Sequence, residues 1–562
     1  MSSSTPRYAI GLDFGTNSVR ALISNTEDGS EVASAESSYR HGENGIVTDP
    51  SQPELARQHP SDYLDGAAEA VRSALEKAKT IGVPDFQICG IGIDATGSTP
   101  MPIDAAGRSL VENPQFESNP HAMAWLWKDH TSIEEANELT AAAKTQKPCY
   151  LEKCGGTYSS EWYWAKLLKC ARTAPEVIEA AHSWIEIADW IPAVMTGNEA
   201  HPKRGICQAG HKGWFHDDWG GYPDAEFLKQ FDPTLARIRD SLPERTYGID
   251  HLAGHLSVQW AERLGLAPNI PVAIGALDAH MGAVGCGIQT GTLVKILGTS
   301  TCDIIVSPTT SELPYIPGLC GIVPDSVLPQ HFGLEAGQSA VGDIFNWWVK
   351  GILPQSGLTH EALTQLAQSQ NPGESGLLAL DWNNGNRTVL VDPKLSGLIL
   401  GQSLHTQAFE IYRALLEATA FGARMIMERI ENYGVPIREV IACGGIAEKN
   451  DFLMQLYADV TGRTIRISQS SQTCALGAAI CGAVAGEAYP DFQSAQAAMT
   501  HTKDRSFTPD AVDSKTYDQL FDLYTTLHDA FGVQGSETDL FHVMKMLLDI
   551  RQQVRKKRRT QA

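Results

Sequence analysis

The feature that most restricts the fold is a hairpin used twice. Residues 8–24, YAIGLDFGTNSVRALIS, run as an apolar stretch into Asp13, turn at Gly15-Thr16 and leave as a second β-prone stretch. Residues 292–307, TLVKILGTSTCDIIVS, repeat the plan, with the turn at Gly298-Thr299-Ser300. A hairpin recurring about half a chain away implies two related lobes, and a duplicated architecture of this kind forms its ligand site in the cleft between them. The intervening pattern is α/β. Leu64, Ala67, Ala68, Val71 and Leu75 recur at helical spacing within 61–82, and the strand-like QICGIGID follows at 87–94. Residues 270–287 read as a strand running into Asp278 and a small-residue helix, and glycines 282, 285, 287 and 291 suit a lobe boundary. In the second half, residues 408–434 read as a long buried helix stopped by Gly434, and 438–468 read as strand, glycine turn, helix, strand.

With 562 residues the chain has room for roughly three or four domain-sized units. Forty-four basic against sixty-six acidic side chains leave a net charge of -22, which opposes nucleic acid and anionic membrane surfaces as partners. The exception is Arg551 to Arg559, six positive charges without an acid, read as a solvated tail. No apolar run approaches the ~20 residues of a membrane-spanning helix, and the first residues lack a secretory pattern, so a cytoplasmic location is expected. The eleven cysteines are scattered without C-x-x-C pairs or zinc spacing, and several sit in apolar runs as small core residues.

Neither G-x-x-x-x-G-K-[ST] nor a G-x-G-x-x-G after a strand is present, so a nucleotide would be held by other turns. The hairpins at Gly15-Thr16 and Gly298-Thr299-Ser300 can bring backbone N–H groups and a hydroxyl to phosphate oxygens. Gly444-Gly445, with Asn450 opening the next helix, would suit a nucleoside or its phosphates. Asp13, just before the first turn, is the candidate Mg2+ ligand. Each turn alone is equally an ordinary hairpin or helix cap.

Taken in order from Gly15 to Asn450, these turns resemble the actin, hexokinase and heat-shock ATPase superfamily, whose fold is a pair of ribonuclease-H-like α/β lobes around a cleft. The segments GLDFGTNSVRA, GIDATGSTPMPID, ALDAHMGAVG, LGTSTCD, FGLEAGQSAVGD, GNRTVLVDPKLSGLILG and EIYRALLEATAFGAR are similar to the FGGY carbohydrate kinases, from about residue 8 to residue 485. Within that family the match is closest to the members that phosphorylate L-ribulose on the L-arabinose route. Gln402, where many members carry an aliphatic residue, departs from the pattern without touching a proposed catalytic group.

The resemblance implies an N-terminal lobe over 1–287, a nucleotide-binding lobe over 288–490 and a helical extension with the basic tail over 491–562. It implies ATP and Mg2+ as cofactors, a small sugar as substrate and a homodimer as assembly. Asp278 matches the family's catalytic base; read alone, it is as well an aspartate capping a helix. Around the sugar the resemblance places the backbone at Thr96 and Gly97, the Lys212 ammonium and the Glu335 carboxylate. Lys212 read alone is a surface lysine, and Glu335 a helix cap. Asp94, near the same sheet edge, has no assigned role, and Trp125, Trp127, Trp162, Trp164, Trp347 and Trp348 are core residues or sugar-stacking rings. Kinases for D-ribulose, xylulose or ribitol are the neighbouring possibility, and an actin-like or heat-shock-like conformational ATPase the more distant one.

Overall fold

A computed structural model describes residues 7–81 and 87–561. The residues up to Pro6, and Gly82 at the end of the first helical stretch, lie outside it. Both expected hairpins form: Arg7–Phe14 pairs antiparallel with Ser18–Asn25, and Thr292–Leu297 with Thr301–Pro308. Each is the centre of a sheet built to one plan. In the first, Arg7–Phe14 lies between its hairpin partner and the parallel strand Gln87–Ala95, with Glu31–Ser38 beyond the partner. In the second, Thr292–Leu297 lies between its partner and the parallel strand Glu439–Cys443, with His331–Ala336 beyond the partner. Parallel pairing needs a long crossover. Helix Pro60–Thr80 stands in the first, and helix Ala408–Asn432 in the second, ended by Gly434 at φ +90° as its position required.

Two helices cross between the sheets. Asp278–Gly285 follows the first-lobe strand Ala276–Leu277 yet touches both strands of the second hairpin, whereas Thr473–Ala485 follows the second-lobe strand Ile465–Ser468 yet lies on Arg7–Phe14 and Gln87–Ala95. The contact is backbone against backbone. A Cβ on Gly92 would come 1.8 Å from the Ala478 carbonyl oxygen, and one on Gly477 would come 1.9 Å from that of Met281. Gly92→Ala is therefore expected to force the helix off the sheet and lose about 1–3 kcal/mol. Urea unfolding measures it, and an unchanged midpoint would show that the helix is free to retreat.

Two elements exceed the sequence reading. Residues between Leu110 and Leu242 fold largely as short helices around an apolar core of their own, including Trp125, Leu139, Tyr163, Trp164, Leu167 and Trp184. The region beyond 491, expected as helical with a solvated tail, contributes strand Thr502–Phe507 to the edge of the second sheet and helix Ala511–Gly532 to its core through Tyr517, Leu520 and Tyr524. Its basic run belongs to helix Val543–Gln561. Arg558 is not simply solvated, because its guanidinium donates to both Glu374 oxygens at 2.7 and 2.8 Å. Among the described residues all eleven cysteines are unbridged, and no helix is long and apolar enough to cross a membrane.

Candidate active site

Strand register builds the acidic centre. Asp13 and Asp94 are partners on adjacent parallel strands, so both side chains leave the same face at the carboxyl end of the sheet. Ala276 pairs with Asp94 on the other side, and Asp278 follows two residues later as the first residue of its helix. Asp278 is partly exposed, and its Oδ1 accepts the Ala279 N–H at 2.7 Å. It is not the helix cap, a position Leu277 occupies. Burial, and then the Asp13 charge, push the Asp278 carboxyl up to about 7, where a carboxylate becomes a competent proton acceptor at neutral pH. Asp13 is also raised, by burial, against the pull of Arg20, whose Nη1 donates to it at 3.2 Å. Asp94 is fully buried and raised well above the carboxylate range by burial, then by Asp13 and Asp278.

The turns present backbone as their glycines allow. Gly15 N–H donates to Ser18 O and Gly298 N–H to Ser300 O, both at 3.0 Å, leaving Gly298 and Thr299 exposed at the tip. The second tip is braced from behind: Thr299 O accepts the Val341 and Asp343 N–H groups at 2.8 and 3.1 Å. At Thr16 the hydroxyl accepts the Trp127 indole N–H at 3.0 Å, which gives this tryptophan a bracing task that neither a core nor a stacking role foresaw. Gly444 has φ +93°, and a Cβ there would meet Leu297 O at 2.4 Å. Gly445 opens onto free space, on the wall of a cavity of about 720 Å³ lined also by Gly342, Phe345, Tyr412, Lys449 and Asn450. Asn450 caps the next helix by accepting the Leu453 N–H at 3.0 Å. That volume suits a nucleoside.

On the other side, Lys212 ends helix Ile206–Gly213 and reaches across to Glu335 on strand His331–Ala336, with Nζ 3.1 and 2.9 Å from the two carboxylate oxygens. Neither is a surface residue or a helix cap: each is about 4% exposed. Arg387 donates to the same carboxylate at 2.7 Å. Burial alone would raise Glu335; Lys212 and then Arg387 outweigh it and hold the carboxyl far below its ordinary range. The pair joins the two halves of the chain. His211 and His280 stand 3.6 and 3.9 Å from Glu335, and burial holds both neutral. Trp162 lies 5.5 Å from the Lys212 ammonium, whereas Trp125 and Trp164 are wholly buried.

Thr96 and Gly97 form the loop that follows strand Gln87–Ala95, and Thr96 N–H donates to Phe14 O at 3.1 Å. Sequence reasoning missed what holds this loop. Glu186 accepts from the Ser98 hydroxyl and, at 2.6 Å, from the Thr99 N–H, while Lys166 Nζ donates to Ser98 O at 2.8 Å. Arg387 was missed as well.

Residues 8–285 match the N-terminal domain, and residues 293–486 the C-terminal domain, of the FGGY family of carbohydrate kinases. The chain belongs to this family. Curated relatives include ribulokinases of Shouchella clausii, 41% identical over 96% of this chain and 98% of that one, and of Vibrio parahaemolyticus, 42% identical over 90% and 92%. The fold is shared with the xylulose kinase of Rhodospirillum rubrum (TM-score 0.78, 24% identity, 93% of this chain and 99% of that one). It is shared also with Plasmodium falciparum glycerol kinase (TM-score 0.76, 17% identity, 94% and 99%). Membership makes the chain a sugar kinase using ATP and sets aside the conformational ATPase.

Proposed function

We propose that this FGGY kinase moves the terminal phosphoryl group of ATP to the 5-hydroxyl of L-ribulose, giving L-ribulose 5-phosphate and ADP. The choice of sugar is supported by the near full-length likeness to relatives named ribulokinase. Asp278 accepts the hydroxyl proton as the sugar oxygen bonds to phosphorus and the bond to the ADP oxygen breaks. Lys212 and Glu335 hold sugar oxygens, and Thr96 and Gly97 offer backbone groups from the first lobe. Gly15, Thr16, Gly298, Thr299 and Ser300 line the phosphates, and Gly444, Gly445 and Asn450 the nucleoside.

Asp13 is the residue to hold Mg2+, and the donor set fits a hard cation: carboxylate oxygens only, two of them on Asp94 without any donor group. Bound there, the metal would neutralise charge on the transferring phosphate. The crossover helices give the two halves a shared axis about which they can close and exclude water.

A coupled assay of ADP release across L-ribulose, D-ribulose, ribitol, D-xylulose and glycerol tests the substrate. The highest kcat/KM is expected with L-ribulose; equal rates on all five would leave that choice unsupported.

A further inference from the structure

The first sheet carries a residue that an ordinary fold would not keep. Asp94 is fully buried, and among the described residues neither of its oxygens receives a hydrogen bond from a protein donor. A structural aspartate has a turn, a cap or an ion pair to serve; Asp94 has only the neighbouring Asp13 carboxyl, with which it shares a side-chain hydrogen bond. It sits instead on the middle of three strands whose ends carry Asp13, Asp94 and Asp278, and the nearby Arg20 donates to Asp13. A buried carboxyl whose one polar partner is another acid destabilises the chain on its own. Two carboxylates on neighbouring parallel strands stand about 4.8 Å apart at the backbone, close enough to serve one cation with oxygen ligands 2.0–2.6 Å away.

We propose that Asp94 is a second carboxylate for the divalent cation at Asp13, making that site a strand-register pair rather than a single aspartate. The inference rests on the kinase reading, since the cation is the one that accompanies the nucleotide. Asp13 is 7% exposed and Asp94, its register partner on the adjacent strand, is fully buried beside it. Asp94 thereby raises cation affinity without touching sugar, which separates it from Asp278.

The test is Mn2+ binding to the full chain, followed by paramagnetic resonance of the free ion, with and without ADP. Asp94→Asn and Asp94→Ser are compared with the parent and with Asp13→Asn. Either Asp94 variant is expected to weaken Mn2+ binding roughly tenfold or more and to shrink the rise in Tm that Mn2+ produces. In metal-free buffer its Tm should equal or exceed that of the parent, because one of two crowded buried acids has been removed. A merely structural Asp94 would give a lower metal-free Tm and parental Mn2+ affinity, and that result overturns the proposal. So does failure of both variants to fold, or absence of Mn2+ binding by the parent. If the parent releases no ADP in response to any sugar, the kinase reading fails, while the Mn2+ affinities still decide whether Asp13 and Asp94 form one site.

Discussion

Asp278→Asn should lower kcat about 10³-fold while leaving the affinities for sugar and ADP within a few fold of the parent. General-base assistance is worth about 10²–10⁴, and the substitution keeps the shape of the side chain and its acceptor for the Ala279 N–H while removing the proton acceptor. The pH profile carries a second signature. With the Asp278 carboxyl held at about 7 by burial and the Asp13 charge, only the ionised form can take the hydroxyl proton. The parent's kcat/KM should therefore climb as pH rises through neutrality, and the variant should lack that limb. Stability moves the other way. Between about pH 4 and 7 the folded protein holds a proton on Asp278 that the unfolded chain has released, so the metal-free parent becomes less stable as pH rises across this window, and the variant less so. Near-parental turnover by Asp278→Asn would remove Asp278 from the chemistry.

The place of Asp278, at a strand end opening a small-residue helix, was legible because the ALDAHMGAVG motif carries all three within ten positions, whereas its role as base came from the family resemblance alone. The hairpins were legible for the same reason, each being a turn and two adjoining strands. Asp94 was visible as an acid, yet its burden arises only when Gln87–Ala95 slots in register between Arg7–Phe14 and Ala276–Leu277, a pairing across 180 residues of sequence that no spacing rule contains. Arg387 was hidden differently. It comes from the irregular segment before strand Leu398–Leu400, and its meeting with Glu335 is a tertiary fact. Strand Thr502–Phe507, TKDRSF, carries one apolar side chain and its residues are only partly buried or exposed at a sheet edge, so it left no strand signal within a region read as a helical extension. The basic run of the last helix reads as a tail because Glu374 and Glu410, which receive Arg558 and Arg555, stand far away in sequence. Local chemistry was readable; partners brought by topology were not.

Glu335→Ala should be the most damaging change at the sugar side, and it separates binding from stability. The carboxylate accepts from Lys212 and Arg387 together, so its removal leaves one ammonium about 4% exposed without a counter-ion and a guanidinium without its anchor. Breaking a buried pair from one side costs about 3–5 kcal/mol, and urea unfolding should show a loss of that order. The sugar KM should rise about a hundredfold or more, because a buried hydroxyl loses its acceptor while Lys212 loses its orientation. Glu335→Gln keeps an oxygen for Lys212 and should fall between. The decisive variant is the double substitution Lys212→Met, Glu335→Leu. Replacing both ions by apolar side chains of similar size removes the stranded ammonium but leaves the Arg387 guanidinium without its carboxylate, so only part of the stability should return, and no sugar contact returns with it. If the double variant recovered sugar affinity together with stability, the pair would be a strut between the halves and the sugar would be held elsewhere.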